Sequence, residues 1–287
     1  MRILRKLYRV IALYLWGTWH GLYCLPIRYL YEEEHSIRRM ALQTISWGRG
    51  IVRIMGIRTI IHGDPEEYKK TGGLVIANHQ SYVDIFLHAS VFGLRFTPKK
   101  EIRSWPLLGW YTDMTRPIWV DRESKQASGA LMEQFRDTLR KKIPLIVYPE
   151  GTTSDGRHGL KEFKTTPFET VVGTDIPIQP VISIYHPAEG DMHPAWYGDA
   201  TFLPHLWAIL GNRRSTADVY ILPLIYPEGR NRKQLAKAVR EAMLKAYCEH
   251  TGWVPPEQDQ TQTAAPAAAP AAAPTSAKDA DREQQTS

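Results

Sequence analysis

The chain has 287 residues, 43% of them hydrophobic and 23% charged, which suits one sizeable globular core and excludes both wholesale disorder and a polytopic membrane protein. The net charge is +6, but residues 254–287 carry −3, so residues 1–253 carry +9 and favour an anionic partner: acidic lipid, a phosphorylated substrate, an acidic carrier protein or nucleic acid. The two cysteines, Cys24 and Cys248, exclude a disulfide scaffold and a cysteine-rich zinc site, which fits a reducing compartment.

The N-terminal region predicts a membrane-associated helical hairpin over residues 1–57. Four cations precede residues 10–27, which contain no charged side chain. As a helix this stretch would extend about 27 Å, close to the roughly 30 Å of bilayer hydrocarbon, and its Trp and Tyr residues are typical of a membrane interface. We expect it to lie in or dip into the cytoplasmic leaflet, with a second helix over residues 32–55 after a break at Pro26. A core helix of the globular domain is the alternative.

Residues 58–252 alternate strand-like and helix-like patterns and predict an α/β domain, with a mixed sheet flanked by helices. Strands are expected at short apolar runs between turn residues, namely 59–61, 74–77, 118–120, 145–148, 178–184 and 219–224. One amphipathic helix is expected over residues 124–142, and another after Asn231, which is placed to cap it. The Ala/Pro-rich residues 253–287 lack an apolar face and are expected to form a disordered tail.

The first candidate site follows strand 74–77, where an Asn-His-Gln-Ser-Tyr-Val-Asp run places His79 five residues before Asp84. Five residues on a continuous helix are separated by about 140°. The two side chains can therefore meet only if His79 lies in a turn and the helix begins near Ser81, a good N-cap. A carboxylate that holds one imidazole nitrogen leaves the other able to accept a proton from a hydroxyl. The alternative is that Ser81 and Asp84 form only a capping box.

The second candidate site is the turn after strand 145–148, where Pro149 is followed by Glu150, Gly151 and Thr152. Backbone N–H groups and hydroxyls in such a turn can bind an anion. The glutamate is the residue type expected to orient a substrate or a cation, and an ordinary turn is the alternative. The histidines share no metal-ligand spacing, so no metal site is expected.

These runs resemble the motifs of glycerolipid acyltransferases of the bacterial lysophosphatidic acid acyltransferase type. Four stretches are similar to the four motifs of that family and follow in the same order, at residues 78–84, 99–122, 148–156 and 176–181. The resemblance implies that His79 is the general base and that Asp84 orients it. It also implies phospholipid biosynthesis at the cytoplasmic face of the bacterial inner membrane.

The resemblance extends to substrate-binding residues in the second and third motifs. We expect a set of six: Lys100, Arg122, Glu150, Gly151, Thr152 and Lys164. For Lys100 and Arg122, simple solvation at the surface is the alternative.

The third motif departs from the family at Thr153, where lysophosphatidic acid acyltransferases usually have a phosphate-binding arginine. A charge-assisted contact of that kind contributes about 1.5–3 kcal/mol. Arg157, Lys161 or Lys164 could replace it. Alternatively, the acceptor carries no terminal phosphate, as in relatives that acylate lyso-ornithine lipid.

The implied reaction moves a fatty acyl group from acyl-CoA or acyl carrier protein to the free hydroxyl of lysophosphatidic acid, giving phosphatidic acid. Lyso-ornithine lipid or another lysophospholipid is the alternative acceptor; no cofactor, metal or nucleic acid is expected. His79 would take the hydroxyl proton and pass it to the departing thiol, and the turn at Glu150 is a candidate source of oxyanion donors. The rivals are hydrolysis, against which no GxSxG elbow is present, and a non-catalytic basic membrane-binding module.

Overall fold

The computed structural model describes residues 1–66, 68, 72–104, 108–121 and 127–255. From residue 256 onward the expected disordered tail lies outside the described residues. Residues Met1–Val254 form one compact unit. Its α-helices are α1 (Arg2–Leu30), α2 (Glu33–Ile54), α3 (Val83–Phe92), α4 (Leu108–Met114), α5 (Ala127–Arg140), α6 (Phe202–Ile209) and α7 (Arg232–Thr251).

A mixed five-stranded sheet lies at the centre of this unit, as the sequence predicts. Its strands are β1 (Ile57–His62), β2 (Leu74–Ala77), β3 (Leu145–Val147), β4 (Ile178–Pro187) and β5 (Ser215–Ile221). They lie in the order β1-β5-β4-β2-β3. Every neighbouring pair is parallel except β4 and β5, which are antiparallel. The carboxyl ends of β2, β3 and β4 therefore lie at the same end of the sheet as the start of β5.

Strand β2 is apolar throughout because both faces of the sheet are covered. All four residues of β2 are buried, and its side chains alternate between two apolar layers. Val75 and Ala77 pack with α2 and α3, whereas Leu74 and Ile76 pack with α5 and α7. Such runs are readable in the sequence, which is why 74–77, 145–148 and 178–184 are predicted as strands.

Two of the predicted strands differ from the structure. Residues 118–120 do not join the sheet; Val120 forms only an isolated bridge with Lys99. The last strand, expected at 219–224, is β5 at Ser215–Ile221. Four of the seven β5 residues are partly exposed, so polar residues such as Thr216 and Asp218 occupy the strand and the sequence pattern does not show where it begins.

The N-terminal hairpin forms, but its break lies after Pro26. Helix α1 continues through Pro26 to Leu30, with Cys24 and Ile27 buried on either side of the proline. Packing of these neighbours stabilises the turn that the proline alone would weaken. By length and apolar composition α1 is sufficient to cross a membrane.

Helix α2 places α3 directly over the sheet. The two helices approach so closely that a Cβ on Gly48 would lie 2.5 Å from the Phe86 carbonyl oxygen. The Thr44 hydroxyl accepts a hydrogen bond from the Leu94 amide at the end of α3, at 2.9 Å. Because α3 carries Asp84 in its first turn, these contacts help to fix the position of that carboxylate.

Candidate active site

The loop between β2 and α3 carries the His-x4-Asp run and is fastened to the neighbouring strand. Asn78 makes two hydrogen bonds with the backbone of Ser183 on β4: its amide donates to the Ser183 carbonyl at 3.0 Å, and its oxygen accepts from the Ser183 amide at 2.8 Å. Gln80 donates to the same carbonyl at 3.1 Å. The loop therefore leaves the sheet in one defined direction, at the carboxyl end of β2.

His79 and Asp84 are in direct contact. The His79 Nδ1 atom lies 2.9 Å from Asp84 Oδ2. Since an ionised carboxylate only accepts hydrogen bonds, Nδ1 carries the proton and Nε2 keeps its lone pair. The imidazole is 19% exposed, whereas Asp84 is fully buried. This arrangement suits a general base: an oriented, partly exposed ring with one nitrogen left free of the carboxylate.

Asp84 also accepts hydrogen bonds from backbone amides in the turn before α3, in addition to its contact with His79. Its Oδ2 atom accepts from the backbone amides of Gln80 at 2.7 Å and Ser81 at 2.8 Å, and the Ser81 hydroxyl accepts from the Val83 amide at 3.2 Å. The other oxygen, Oδ1, accepts from the Tyr185 hydroxyl at 2.6 Å. Burial favours the protonated acid, but the hydrogen bonds and charge of the neighbours outweigh it, and the pKa of Asp84 lies below its ordinary value.

A second buried histidine supports the first. Tyr148 stacks on His79 with ring centroids 4.1 Å apart, and its hydroxyl lies 2.9 Å from His88 Nδ1. The other nitrogen of His88 lies 2.7 Å from the Ser183 hydroxyl. Burial lowers the pKa of His88 to about 4, so this ring is neutral at pH 7. These hydrogen bonds fix the orientation of the Tyr148 ring, on which the His79 ring stacks.

Glu150 joins the two motif loops from inside the protein. One carboxylate oxygen accepts from the His79 amide at 3.0 Å, and the other accepts from the Lys161 amide at 3.3 Å. Burial raises the pKa of Glu150, and these backbone hydrogen bonds oppose the rise. This structural role accounts for the glutamate without a substrate or cation; its predicted contact with substrate stays a prediction.

The turn after Glu150 lies beside a lysine. Gly151 adopts a φ of 72°, and a Cβ there would lie 2.7 Å from Lys164 Nζ, so the ammonium group passes directly over the turn. Thr152 is exposed. The Thr153 carbonyl accepts from Lys161 Nζ at 2.7 Å. The Gly151 amide donates to the Tyr148 carbonyl at 3.1 Å, which leaves the predicted oxyanion role to other donors near this turn.

The two cations expected from the second motif are not brought together by the described contacts. Lys100 is 64% exposed, and its ammonium group lies 3.2 Å from Asp121 Oδ2. Arg122 lies outside the described residues. Their roles in binding a headgroup therefore stay predictions.

Four residues of the site were not predicted from the sequence: Tyr148, Ser183, Tyr185 and His88. Only His88 had a local signal, since it lies one helical turn after Asp84 and faces the same way. Ser183 and Tyr185 are polar residues in the buried part of β4, and such residues require hydrogen-bond partners. That signal indicates a buried network without saying which residues it joins.

The comparisons with known proteins all match acyltransferases. The family model described as Acyltransferase matches residues 58–184. Lyso-ornithine lipid O-acyltransferase of Rhodobacter capsulatus is 35% identical over 67% of this chain and 71% of that protein. The 1-acyl-sn-glycerol-3-phosphate acyltransferase of Neisseria meningitidis is 28% identical over 69% and 78%. The fold is similar to that of the Thermotoga maritima 1-acyl-sn-glycerophosphate acyltransferase PlsC, with a TM-score of 0.65 over 88% of this chain and 99% of that one, at 21% identity.

Proposed function

The chain belongs to the acyltransferase family, and from that premise we propose that it transfers a fatty acyl group from a thioester to the free hydroxyl of a lysolipid, with His79 as the general base. The observation that carries the proposal is the contact between His79 Nδ1 and the buried Asp84 carboxylate. It leaves Nε2 to accept the hydroxyl proton as the oxygen attacks the thioester carbonyl. The carbonyl carbon gains the new ester bond and loses the carbon–sulfur bond. The departing thiolate takes the proton from His79.

The proposal needs no metal or cofactor. The acyl donor is the thioester of coenzyme A or of acyl carrier protein, and the basic body of the chain suits either anionic carrier. Glu150 accepts a hydrogen bond from the His79 amide. The turn at Gly151 that follows Glu150, with Lys164 over it, therefore lies next to the loop that carries His79. We assign this turn, with Lys100 and Arg122, to substrate binding.

For the acceptor we favour lyso-ornithine lipid over lysophosphatidic acid. Thr153 provides no guanidinium, and Lys161 Nζ is already bonded to the Thr153 carbonyl. An ornithine headgroup carries one carboxylate and one ammonium group, so it requires fewer cationic ligands than a phosphate monoester. Four of the relatives in the comparison are named lyso-ornithine lipid O-acyltransferases. Lysophosphatidic acid, which the sequence motifs favour, is the second candidate.

We further propose that the N-terminal hairpin lies in one leaflet at the cytoplasmic face of the membrane. Arg9 and Arg28, about 28 Å apart along a helix, both bond the folded body. Arg9 donates to the Leu210 and Asn212 carbonyls, and Arg28 pairs with Asp113 at 3.1 Å. A helix held at both ends to one side of a globular domain has no free length with which to cross a bilayer. Its apolar outer face, from Ile3 to Leu30, then enters the leaflet sideways.

The test uses purified protein with labelled acyl-CoA and acyl carrier protein, and offers both lysolipids in parallel. His79→Ala should lower the rate by about 10²–10⁴-fold, whereas His186→Ala, at an exposed histidine on β4, should retain activity. The expected product is the acylated lysolipid. Release of free fatty acid without any dependence on lysolipid would instead identify a hydrolase. Activity untouched by His79→Ala would remove the proposed base.

The acceptor is tested by restoring the missing arginine. Thr153→Arg should raise kcat/KM for lysophosphatidic acid relative to lyso-ornithine lipid by about tenfold or more, because a charge-assisted phosphate contact contributes about 1.5–3 kcal/mol. Thr251→Arg, at an exposed threonine that ends α7 and lies outside the assigned substrate-binding residues, is the matched control. If the wild-type protein already prefers lysophosphatidic acid, the assignment to lyso-ornithine lipid is wrong.

A further inference from the structure

Helix α6 exposes an apolar face formed by Leu203 and Trp207. Leu203 is 71% exposed and Trp207 is 43% exposed. They lie four residues apart and therefore on the same side of the helix. The opposite side is buried through His205 and Ile209. A surface helix in water normally carries polar residues on its outer face, so this arrangement points to a non-aqueous neighbour.

The exposed face of α6 continues the apolar surface of α1. Arg9 fastens α1 to the Leu210 and Asn212 carbonyls at the end of α6. Lys6 Nζ lies 4.9 Å from the centre of the Trp207 ring. The exposed apolar residues on this half of α1 include Ile3, Leu4, Leu7, Tyr8 and Ile11.

Cations border the shared surface. The side chains of Arg2 and Lys6 pass over Gly211, directly after α6. An apolar, tryptophan-bearing face with cations at its edge fits the boundary between anionic headgroups and acyl chains. The same charges would disfavour pairing with a second copy of this basic surface.

Helix α6 also contacts the loop that carries His79. It lies between β4 and β5, at the end of the sheet where β2 ends. The Tyr82 hydroxyl lies 3.1 Å from His205 Nδ1, and His205 Nε2 donates to the Ala195 carbonyl at 2.9 Å. The Trp196 amide donates to the Gln80 carbonyl at 2.7 Å. Residues on both sides of Ser81 are therefore held by α6 and the segment before it.

We propose that α6 is a third membrane-binding element, in which Leu203 and Trp207 enter the anionic leaflet beside α1. The inference rests on the proposed membrane anchoring and extends it to a helix that contacts the His79 loop. With α6 docked, the leaflet surface meets the protein at the loop between β2 and α3. An acceptor lipid can then reach His79 without leaving the membrane.

The first experiment attaches an environment-sensitive fluorophore to single cysteines in the full chain, with Cys24→Ala and Cys248→Ala in the background. Leu203→Cys reports on α6, and Leu7→Cys reports on α1. Tyr226→Cys is the matched control, because Tyr226 is 40% exposed and follows β5 at the opposite end of the sheet. Vesicles of phosphatidylglycerol and phosphatidylethanolamine are then added.

We expect the emission to shift to shorter wavelength at positions 7 and 203 and to stay unchanged at 226. A shift at 7 without one at 203 would overturn the role of α6 and leave the hairpin anchor in place. No shift at either position would overturn the anchor as well. A shift at all three positions would indicate non-specific adsorption and count against the proposal.

A second experiment measures binding to the same vesicles by flotation. Leu203→Glu should weaken binding to the vesicles by about tenfold or more. Transfer of a leucine side chain from the bilayer hydrocarbon to water changes a partition constant by more than a factor of ten. Tyr226→Glu should bind as the wild type does. If Leu203→Glu leaves binding unchanged but alters the oligomeric state in detergent, α6 is a protein interface and the proposal is wrong.

Discussion

Asp84 is the residue on which the hydrogen bonds of the site converge. Its Oδ2 atom serves His79 and two backbone amides, and its Oδ1 atom serves the Tyr185 hydroxyl. With both oxygens engaged, the carboxylate has one orientation, and the imidazole it holds has one tautomer. Tyr185 is therefore a positioning residue that acts on His79 through Asp84.

Tyr185→Phe removes only the hydroxyl that donates to Asp84. We expect kcat to fall by about tenfold with KM little changed, since a hydrogen bond to a charged group contributes about 1.5–3 kcal/mol. The loss of a donor also raises the pKa of Asp84, so the acid limb of the pH–rate profile should move to higher pH. Tyr220→Phe on β5 is the control. An unchanged pH profile in Tyr185→Phe would mean that the hydroxyl is only structural.

His88 predicts a pH dependence of stability. Its pKa is about 4 in the folded protein, against an ordinary value near 6.5. The unfolded chain therefore binds a proton that the folded chain does not, and the stabilisation present above pH 6.5 is lost as the pH falls toward 4. His88→Gln should reduce this slope of the unfolding free energy by up to about 1.4 kcal/mol per pH unit. Denaturant titrations at several pH values measure this slope, with His186→Gln as the control. Equal slopes in the wild type and in His88→Gln would contradict the assignment of the pH dependence to His88.

At the scale of elements, α1 is part of the folded body as well as the proposed membrane anchor. Leu13 and Trp16 pack against the core, and the Trp16 indole donates to the Trp47 carbonyl at 3.1 Å. Removing residues 1–28 would therefore expose the core in addition to weakening membrane binding. Single substitutions separate these two roles, which a deletion does not.

Arg9→Ala tests how firmly α1 is attached. The substitution leaves the Leu210 and Asn212 carbonyls without their donor, and we expect the unfolding free energy to fall by about 1–3 kcal/mol. Arg5→Ala, four residues earlier on the same helix, should change it by less than about 0.5 kcal/mol. Thermal unfolding in detergent compares them. An equal loss of unfolding free energy in both variants would show that the charge of α1, and not the buried contact of Arg9, stabilises the attachment.

At the scale of the whole molecule, His79, Asp84 and helix α1 belong to one compact unit that ends at Val254. The Ala/Pro-rich residues that follow lack the apolar side chains needed for packing. Truncation after Pro255 should leave kcat and vesicle binding unchanged. A large loss of activity in the purified truncated protein would assign the tail a role in catalysis.

The sequence by itself determined the α/β class, four of the five strands, the capped helix α7 and the His-x4-Asp pair. Each of these is encoded within a few neighbouring residues. Buried strands are continuous apolar runs, a cap is a fixed spacing, and Asn231 with Gln234 forms the capping box that its position predicts.

Only the tertiary structure decided which distant groups meet at His79. Tyr185 lies 101 residues from Asp84, and Ser183 lies 95 residues from His88. The tertiary structure also directs the Glu150 carboxylate to the His79 amide, extends α1 past Pro26 and makes β5 antiparallel to β4. These outcomes depend on how whole elements pack, and a local pattern specifies an element and its buried face without specifying the partner that covers it.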